Sequence, residues 1–120
     1  MALNAYFENA KGIGVLATAD GEGHVNTAIY SRPHIMDDGT LAFIMNDRLS
    51  HYNLQSNPKA CFLFKEGQDG YRGKRLYLTK IREERDSDLL QQLKRRSYPP
   101  KRETHEPKYL VFFKLDKELP

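Results

Sequence analysis

The stretch Ala60-Cys61-Phe62-Leu63-Phe64 is apolar at every position, and Tyr109-Leu110-Val111-Phe112-Phe113 repeats this pattern near the end of the chain. A strand that lies half exposed on a sheet alternates between apolar and polar residues, whereas a strand covered on both faces does not. Both stretches are therefore predicted to be strands with two covered faces. In a closed barrel one face looks inward, and we expect the other face to meet a second subunit.

The rest of the chain predicts further strands that are joined mainly by tight turns. These strands cover residues 13–19, 24–32, 41–45 and 75–81, and they join those at 59–65 and 109–115. Glycine-containing turns are predicted at residues 20–23 and 37–40. Because the three predicted helices are inserted between strands rather than alternating with them, the sheet is predicted to be mostly antiparallel. We therefore expect one mainly β domain over residues 1–120, with six to seven strands.

The predicted helices cover residues 4–10, 51–56 and 86–96. Ser50 precedes the second helix and is predicted to be its N-cap, and Asn57-Pro58 ends it. Asp86, Ser87 and Asp88 stand at the start of the third helix, where negative charge suits the helix dipole.

Composition limits the classes of function. The net charge of +3 is well below the excess of a typical nucleic-acid-binding domain, although it favours anionic ligands. The basic residues near position 95 are interpreted as a solvated helix end. The single cysteine, Cys61, excludes an internal disulfide, and the histidines show no metal-ligand spacing. No apolar run is long enough to span a membrane and no signal stretch is present, so we expect a cytoplasmic protein.

Two segments carry candidate binding residues. Arg48-Leu49-Ser50-His51 begins a helix, where unpaired N–H groups and the helix dipole attract phosphate. The alternative is that Ser50 only caps the helix. In the second segment, Asn26 and Thr27 lie in an otherwise apolar strand, and their side chains could hydrogen-bond the edge of a heteroaromatic ring. The alternative is that they lie on the solvent-exposed face of the strand.

These segments belong to a longer ordered pattern. It comprises Gly14-Val15-Leu16-Ala17-Thr18-Ala19-Asp20-Gly21, then Asn26-Thr27-Ala28, then Gly39-Thr40-Leu41-Ala42-Phe43, then residues 50–60 with Asn53-Leu54 and Asn57-Pro58. In this order and spacing the chain resembles the pyridoxamine 5′-phosphate oxidase-related, FMN-binding split-barrel family. The resemblance covers about residues 6–82, and it implies an antiparallel split β-barrel that forms a homodimer with FMN at the interface.

The resemblance also implies a set of cofactor-binding residues. The phosphate is expected near Arg48, Leu49, Ser50 and His51. The isoalloxazine ring is expected along Asn26, Thr27, Ala28, Ile29 and Ser31, and beside Met45 and Asn46. The second subunit is expected to cover the ring with residues from Tyr98, Arg102, His105 and Tyr109.

The implied function is an FMN-binding flavoprotein that acts as an oxidoreductase or an electron carrier, with no catalytic side chain assigned. Many members of the family carry a lysine or arginine pair where this chain has His51 and Tyr52, so phosphate binding would depend more on Arg48. The chain is also shorter than the oxidases and lacks their C-terminal substrate-binding motif. The alternatives are a member of this fold that binds F420 or haem, and a cofactor-free binding or regulatory dimer.

Overall fold

A computed structural model describes residues 3–67, 69–97 and 107–120, with the side chains of residues 95–97 left out. The chain forms, in order, α1 (Leu3–Asn9), β1 (Gly12–Ala19), β2 (Val25–Tyr30), β3 (His34–Ile35), β4 (Leu41–Asn46), α2 (Leu49–Ser56), β5 (Lys59–Glu66), β6 (Gly73–Arg85), α3 (Asp88–Ser97) and β7 (Lys108–Leu119). Over the described ranges, no helix has the length and apolar character needed to cross a membrane.

The strands form one seven-stranded sheet in the order β2-β1-β5-β6-β7-β4-β3, and every neighbouring pair is antiparallel. The sheet curls into a half-barrel with β2 and β3 at its two edges. The predicted mainly β, antiparallel split barrel is therefore confirmed.

The split in the barrel follows from the short length of β3. Its two residues, His34 and Ile35, pair with Ala42 and Leu41 at the start of β4. The other residues of β4 pair only with β7 among the strands that the structure describes. The second half of β4 thus faces β2 across an opening, because neither strand has a partner there.

The inner face of the curled sheet holds the main core. Alternate residues of each strand point into it. The large fully buried side chains there include Leu16, Phe43, Phe62, Phe64 and Phe113. Phe43 packs edge-on against Phe113, with ring centroids 5.6 Å apart. Phe7 of α1 completes this core from one side, so α1 is held by burial of its apolar face.

The outer face of β7 is covered by a different element from the one that the sequence predicted. Leu110 and Phe112 are covered by Leu90 and Leu93 of α3, in a second cluster that also contains Ala42 and Ile44. The expectation that a second subunit covers this strand was therefore wrong. The narrow apolar side of α3 provides the cover, and the Ser87 hydroxyl caps the helix by accepting a hydrogen bond from the Leu90 N–H at 3.1 Å.

The outer face of β5 has no such cover from a helix of the described chain. Cys61 is half-buried, and 46% of the Leu63 side chain is exposed. In register beside Leu63 lie Val15 on β1 and then Ile29 on β2. This face therefore leaves apolar side chains partly or largely exposed.

Several boundaries also differ from the predictions. β6 continues to Arg85 and β7 to Leu119, because the two strands pair along charged segments as well as apolar ones. α2 begins at Leu49 with Arg48 as its N-cap, and no side chain caps it. The prediction that Ser50 is the N-cap was therefore wrong, since Ser50 lies inside the first turn.

The cover provided by α3 leads to a stability prediction. Replacing Leu90, which is fully buried, with alanine leaves a cavity over β4 and β7. We expect Leu90→Ala to lower the free energy of unfolding by about 3 kcal/mol, measured by urea denaturation. The neighbouring Gln91→Ala, at an exposed position, is the control and should change it by less than about 0.5 kcal/mol. Equal effects of the two changes would contradict the proposed packing.

Candidate functional site

A cleft of about 360 Å³ lies at the opening in the barrel, between the edge strand β2 and the start of α2. Its volume falls in the range of roughly 300–1,000 Å³ that is common for small-molecule sites. The residues that line it are Asn26, Ala28, Ile29, Tyr30, Ser31, Ile44, Asn46, Arg48, Leu49 and Ser50. The incomplete pairing of β4 therefore leaves room for a ligand.

A contact between Asn26 and Ser50 joins the two walls of the cleft. The Asn26 Nδ2 donates to the Ser50 Oγ at 3.4 Å, and Ser50 is buried. Because the Ser50 oxygen accepts this bond, its own proton can be donated to a ligand. The amide oxygen of Asn26 can likewise accept a hydrogen bond inside the cleft.

The first turn of α2 gives this end of the cleft its electrostatic character. The first helical hydrogen bond runs from the Tyr52 N–H to the Arg48 carbonyl at 2.9 Å. The N–H groups of Leu49, Ser50 and His51 therefore have no acceptor within the helix, and the side chain of the N-cap residue Arg48 does not cap them. The exposed Arg48 adds a cation beside them. The arrangement suits a phosphate or carboxylate group.

Known structures show which proteins share this architecture. No protein-family model and no curated protein matches the sequence. Among solved structures, an FMN-binding protein from Syntrophomonas wolfei subsp. wolfei superposes with a TM-score of 0.77 at 21% identity, over 99% of this chain and 83% of that one. A putative pyridoxamine 5′-phosphate oxidase from Lactobacillus delbrueckii superposes with a TM-score of 0.67 at 14% identity, over 100% and 93%.

The chain has the fold of the FMN-binding, pyridoxamine 5′-phosphate oxidase-related split barrels. An F420 reductase shares it too, with a TM-score of 0.70 at 16% identity, over 95% of this chain and 94% of that one. At these identities the likeness establishes the fold, and it confirms the split barrel that the sequence motifs implied.

In this split barrel, most of the predicted ligand residues come together. The cleft is lined by Asn26, Ala28, Ile29, Ser31, Asn46, Arg48, Leu49 and Ser50. Tyr30 and Ile44, which lie inside the predicted ring-binding strands but were not named individually, line it as well. Tyr30 stands between two predicted positions, and Ile44 directly precedes the predicted Met45.

The remaining predicted residues lie elsewhere. Thr27 is exposed on β2 and does not line the cleft, and Met45 is fully buried in the core. Tyr98, Arg102 and His105 fall outside the described residues. Their roles remain predictions.

The His51 side chain is buried behind the first turn of α2, away from the residues that line the cleft. Its ring stacks on Tyr109 of β7 with centroids 3.7 Å apart and an interplanar angle of 15°. Its Nε2 lies 3.0 Å from a carboxylate oxygen of Glu83 on β6, and its Nδ1 lies 3.6 Å from Asp47. Only 8% of the side chain is exposed. Glu83 was not among the residues predicted from the sequence.

The environment of Glu83 determines its charge. Partial burial raises the pKa of its carboxyl, but hydrogen bonds with Lys80, His51 and Gln55 favour the ionised form more strongly. The Lys80 ammonium donates at 2.6 Å. The net result lowers the pKa of Glu83 from its ordinary 4.5 to about 2. Glu83 is therefore a stable anion behind α2 at neutral pH.

This lowered pKa predicts an acid-dependent loss of stability. Because the folded-state pKa lies below the unfolded value, ionised Glu83 stabilises the fold above about pH 4.5, and this contribution disappears between about pH 4.5 and 2. We expect Glu83→Gln to be less stable than the wild type at pH 7. The difference in unfolding free energy, measured by urea denaturation at each pH, should shrink across that window. A difference that stays constant with pH would contradict the assignment.

Proposed function

We propose that the protein binds FMN in the cleft between β2 and α2 and works as an oxidoreductase or electron carrier. The observation that carries the proposal is the convergence of Arg48, Ser50 and Asn26 on one cleft at the opening of a split barrel. When bound, FMN supplies the electron-transfer chemistry, while the protein supplies binding, orientation and control of access. We assign no catalytic residue.

The phosphate would lie at the first turn of α2. The Ser50 hydroxyl and the N–H groups of residues 49–51 are the donors, and the Arg48 guanidinium offers a forked cation. His51 would contribute through its backbone N–H, since its ring faces Glu83 and Tyr109. The donors belong to consecutive residues, so a single anionic group can reach several of them.

The isoalloxazine ring would lie along β2 and the end of β4. Ala28, Ile29 and Ile44 provide apolar surface there, and Asn26 and Asn46 provide amide groups. The Asn46 Oδ1 accepts a hydrogen bond from the Lys108 ammonium at 2.5 Å, so its amide N–H groups are oriented as donors. An apolar slot with a few polar groups at its edge suits a flavin.

We propose that a second copy of the chain closes the cleft, and that the protein is a homodimer. Ile29 and Val25 of β2 are 80% and 83% exposed, although both are large and apolar. Leu49 and Tyr52 of α2 are exposed as well, one helical turn apart. Several large exposed apolar side chains on a small domain favour burial against a partner. Thr27 and Tyr98 would then contact FMN only through the dimer.

F420 is the second candidate ligand, because an F420 reductase is among the proteins that share the fold. Both ligands carry a phosphate group that the donors at Ser50 could bind. Mass spectrometry of the small molecule released from purified protein distinguishes the two.

A comparison of FMN with riboflavin tests the phosphate site. We expect Arg48→Ala to weaken FMN binding by about 10- to 100-fold, because a charged hydrogen bond contributes about 1.5–3 kcal/mol. Ser50→Ala should weaken it by about tenfold, from the loss of one hydrogen bond. Riboflavin, which lacks the phosphate, should bind each variant as it binds the wild type. Dissociation constants come from titrations that follow flavin fluorescence.

Arg72→Ala is the matched control, because Arg72 is also an exposed arginine but lies in the loop between β5 and β6, outside the cleft. It should leave FMN affinity unchanged. Unchanged FMN affinity in Arg48→Ala and Ser50→Ala would refute the phosphate site.

A charge placed on the outer face of β5 tests the dimer. Leu63 lies on that face, does not line the cleft and is partly exposed. We expect Leu63→Glu to convert a dimer into a monomer in light scattering coupled to gel filtration, because a buried unpaired carboxylate strongly disfavours association. Tyr71→Glu, at a fully exposed loop position, should leave the dimer intact. A Leu63→Glu variant that remains dimeric would exclude this face as the interface.

A further inference from the structure

His51 stands next to the proposed phosphate ligand Ser50, yet its ring packs against Tyr109 and Glu83 and does not line the cleft. The charged and titratable groups that face it come from three places: Asp47 before α2, Glu83 and Lys80 on β6, and Tyr109 on β7. Gln55, one turn further along α2, donates to the carboxylate of Glu83 at 3.2 Å. The imidazole is thus fixed on one face by stacking and at Nε2 by a carboxylate.

We propose that His51 is a positioning residue, which holds the first turn of α2 so that Ser50 and Arg48 meet the FMN phosphate. The inference rests on the proposed function, because it assigns His51 a part in the same phosphate site. His51 acts through its neighbours in the helix, and its ring does not touch the ligand.

The short length of α2 explains why the first turn requires an anchor. The helix has eight residues, and a helix of this length has little stability of its own. Its second half is tied to the sheet, since Asn53 donates to the Thr18 hydroxyl at 3.1 Å and the Gly21 N–H donates to the Ser56 hydroxyl at 3.1 Å.

The first turn lacks a side-chain cap, and its contact with β2 is the long Asn26–Ser50 hydrogen bond of 3.4 Å. The backbone before the turn is held by the Arg48 N–H, which donates to the Asn46 carbonyl at 2.9 Å, and within the turn the His51 ring adds its contacts with Glu83 and Tyr109. A small shift of the ring would move the Ser50 N–H and hydroxyl with it, because the two residues are adjacent. Misplacement of a binding group by about 1 Å is enough to weaken a site substantially.

The carboxylates around the ring argue against a direct role in phosphate binding. Glu83 is ionised at neutral pH and lies 3.0 Å from Nε2, and Asp47 lies 3.6 Å from Nδ1. Both ring nitrogens therefore face acceptors of the protein itself. A phosphate brought to either nitrogen would have to displace a carboxylate of like charge.

Two variants separate the positioning role from general stability. His51→Phe keeps an aromatic ring against Tyr109 but removes the hydrogen bond to Glu83. His51→Gln places an amide N–H where Nε2 was, and so keeps a donor for Glu83. We expect His51→Phe to weaken FMN binding by about tenfold and to leave riboflavin binding within about twofold of the wild type. His51→Gln should restore FMN affinity to within about threefold of the wild type.

A double-mutant cycle checks that His51 acts through the phosphate ligands. In the Arg48→Ala/Ser50→Ala background, adding His51→Phe should cause a much smaller loss of FMN affinity than in the wild type, because of the groups that it positions only the backbone N–H groups remain. A further tenfold loss in that background would overturn the proposal. Equal loss of FMN and riboflavin binding in His51→Phe would also overturn it, since that result indicates general damage to the fold.

The failure of this inference can be distinguished from failure of the proposed function. If the wild type prefers FMN to riboflavin and His51→Phe does so to the same extent, the positioning role is wrong while the phosphate site stands. If the wild type binds FMN no better than riboflavin, the phosphate site is wrong and the role of His51 in it is wrong as well. An equal loss of FMN affinity in His51→Gln and His51→Phe would show that the hydrogen bond to Glu83 does not position the helix turn, and would overturn that part of the proposal.

Discussion

The incomplete pairing of β4 creates the opening at which the cleft lies. Because β3 supplies only two residues to the sheet, the second half of β4 has β7 on one side and an opening on the other. The edge strand β2 lies across that opening, and α2 bridges it through the contact between Ser50 and Asn26. A fully closed barrel of this length would fill its interior with side chains and leave no cleft.

The first turn of α2 faces two different environments. On the cleft side it presents unpaired N–H groups, the Ser50 hydroxyl and Arg48, which together favour an anion. The His51 ring of the same turn stacks on Tyr109 and lies against the anionic Glu83. Neither Glu83 nor Asp47 lines the cleft in which the phosphate is proposed to bind.

The sequence predicted the fold well and the site in part, for identifiable reasons. Long apolar strands such as β5 and β7 give a strong local pattern, whereas the two residues of β3 are too few to show any periodicity. The apolar side of α3 was visible, but its packing on Leu110 and Phe112 depends on the tertiary fold. The His51–Glu83 pair joins residues 32 positions apart, and a single sequence carries no signal for it. The assignment of FMN came from the ordered family motifs rather than from chemistry read off individual residues.

A crystal structure of the protein grown with FMN tests the central claim most directly, because it shows what occupies the cleft between β2 and α2. We expect a flavin there, with its phosphate against Ser50 and Arg48 and its ring along β2. A second copy of the chain should close the site over Ile29. Side chains of either copy filling the cleft beside Ser50, with no flavin bound, would contradict the account and favour a cofactor-free dimer.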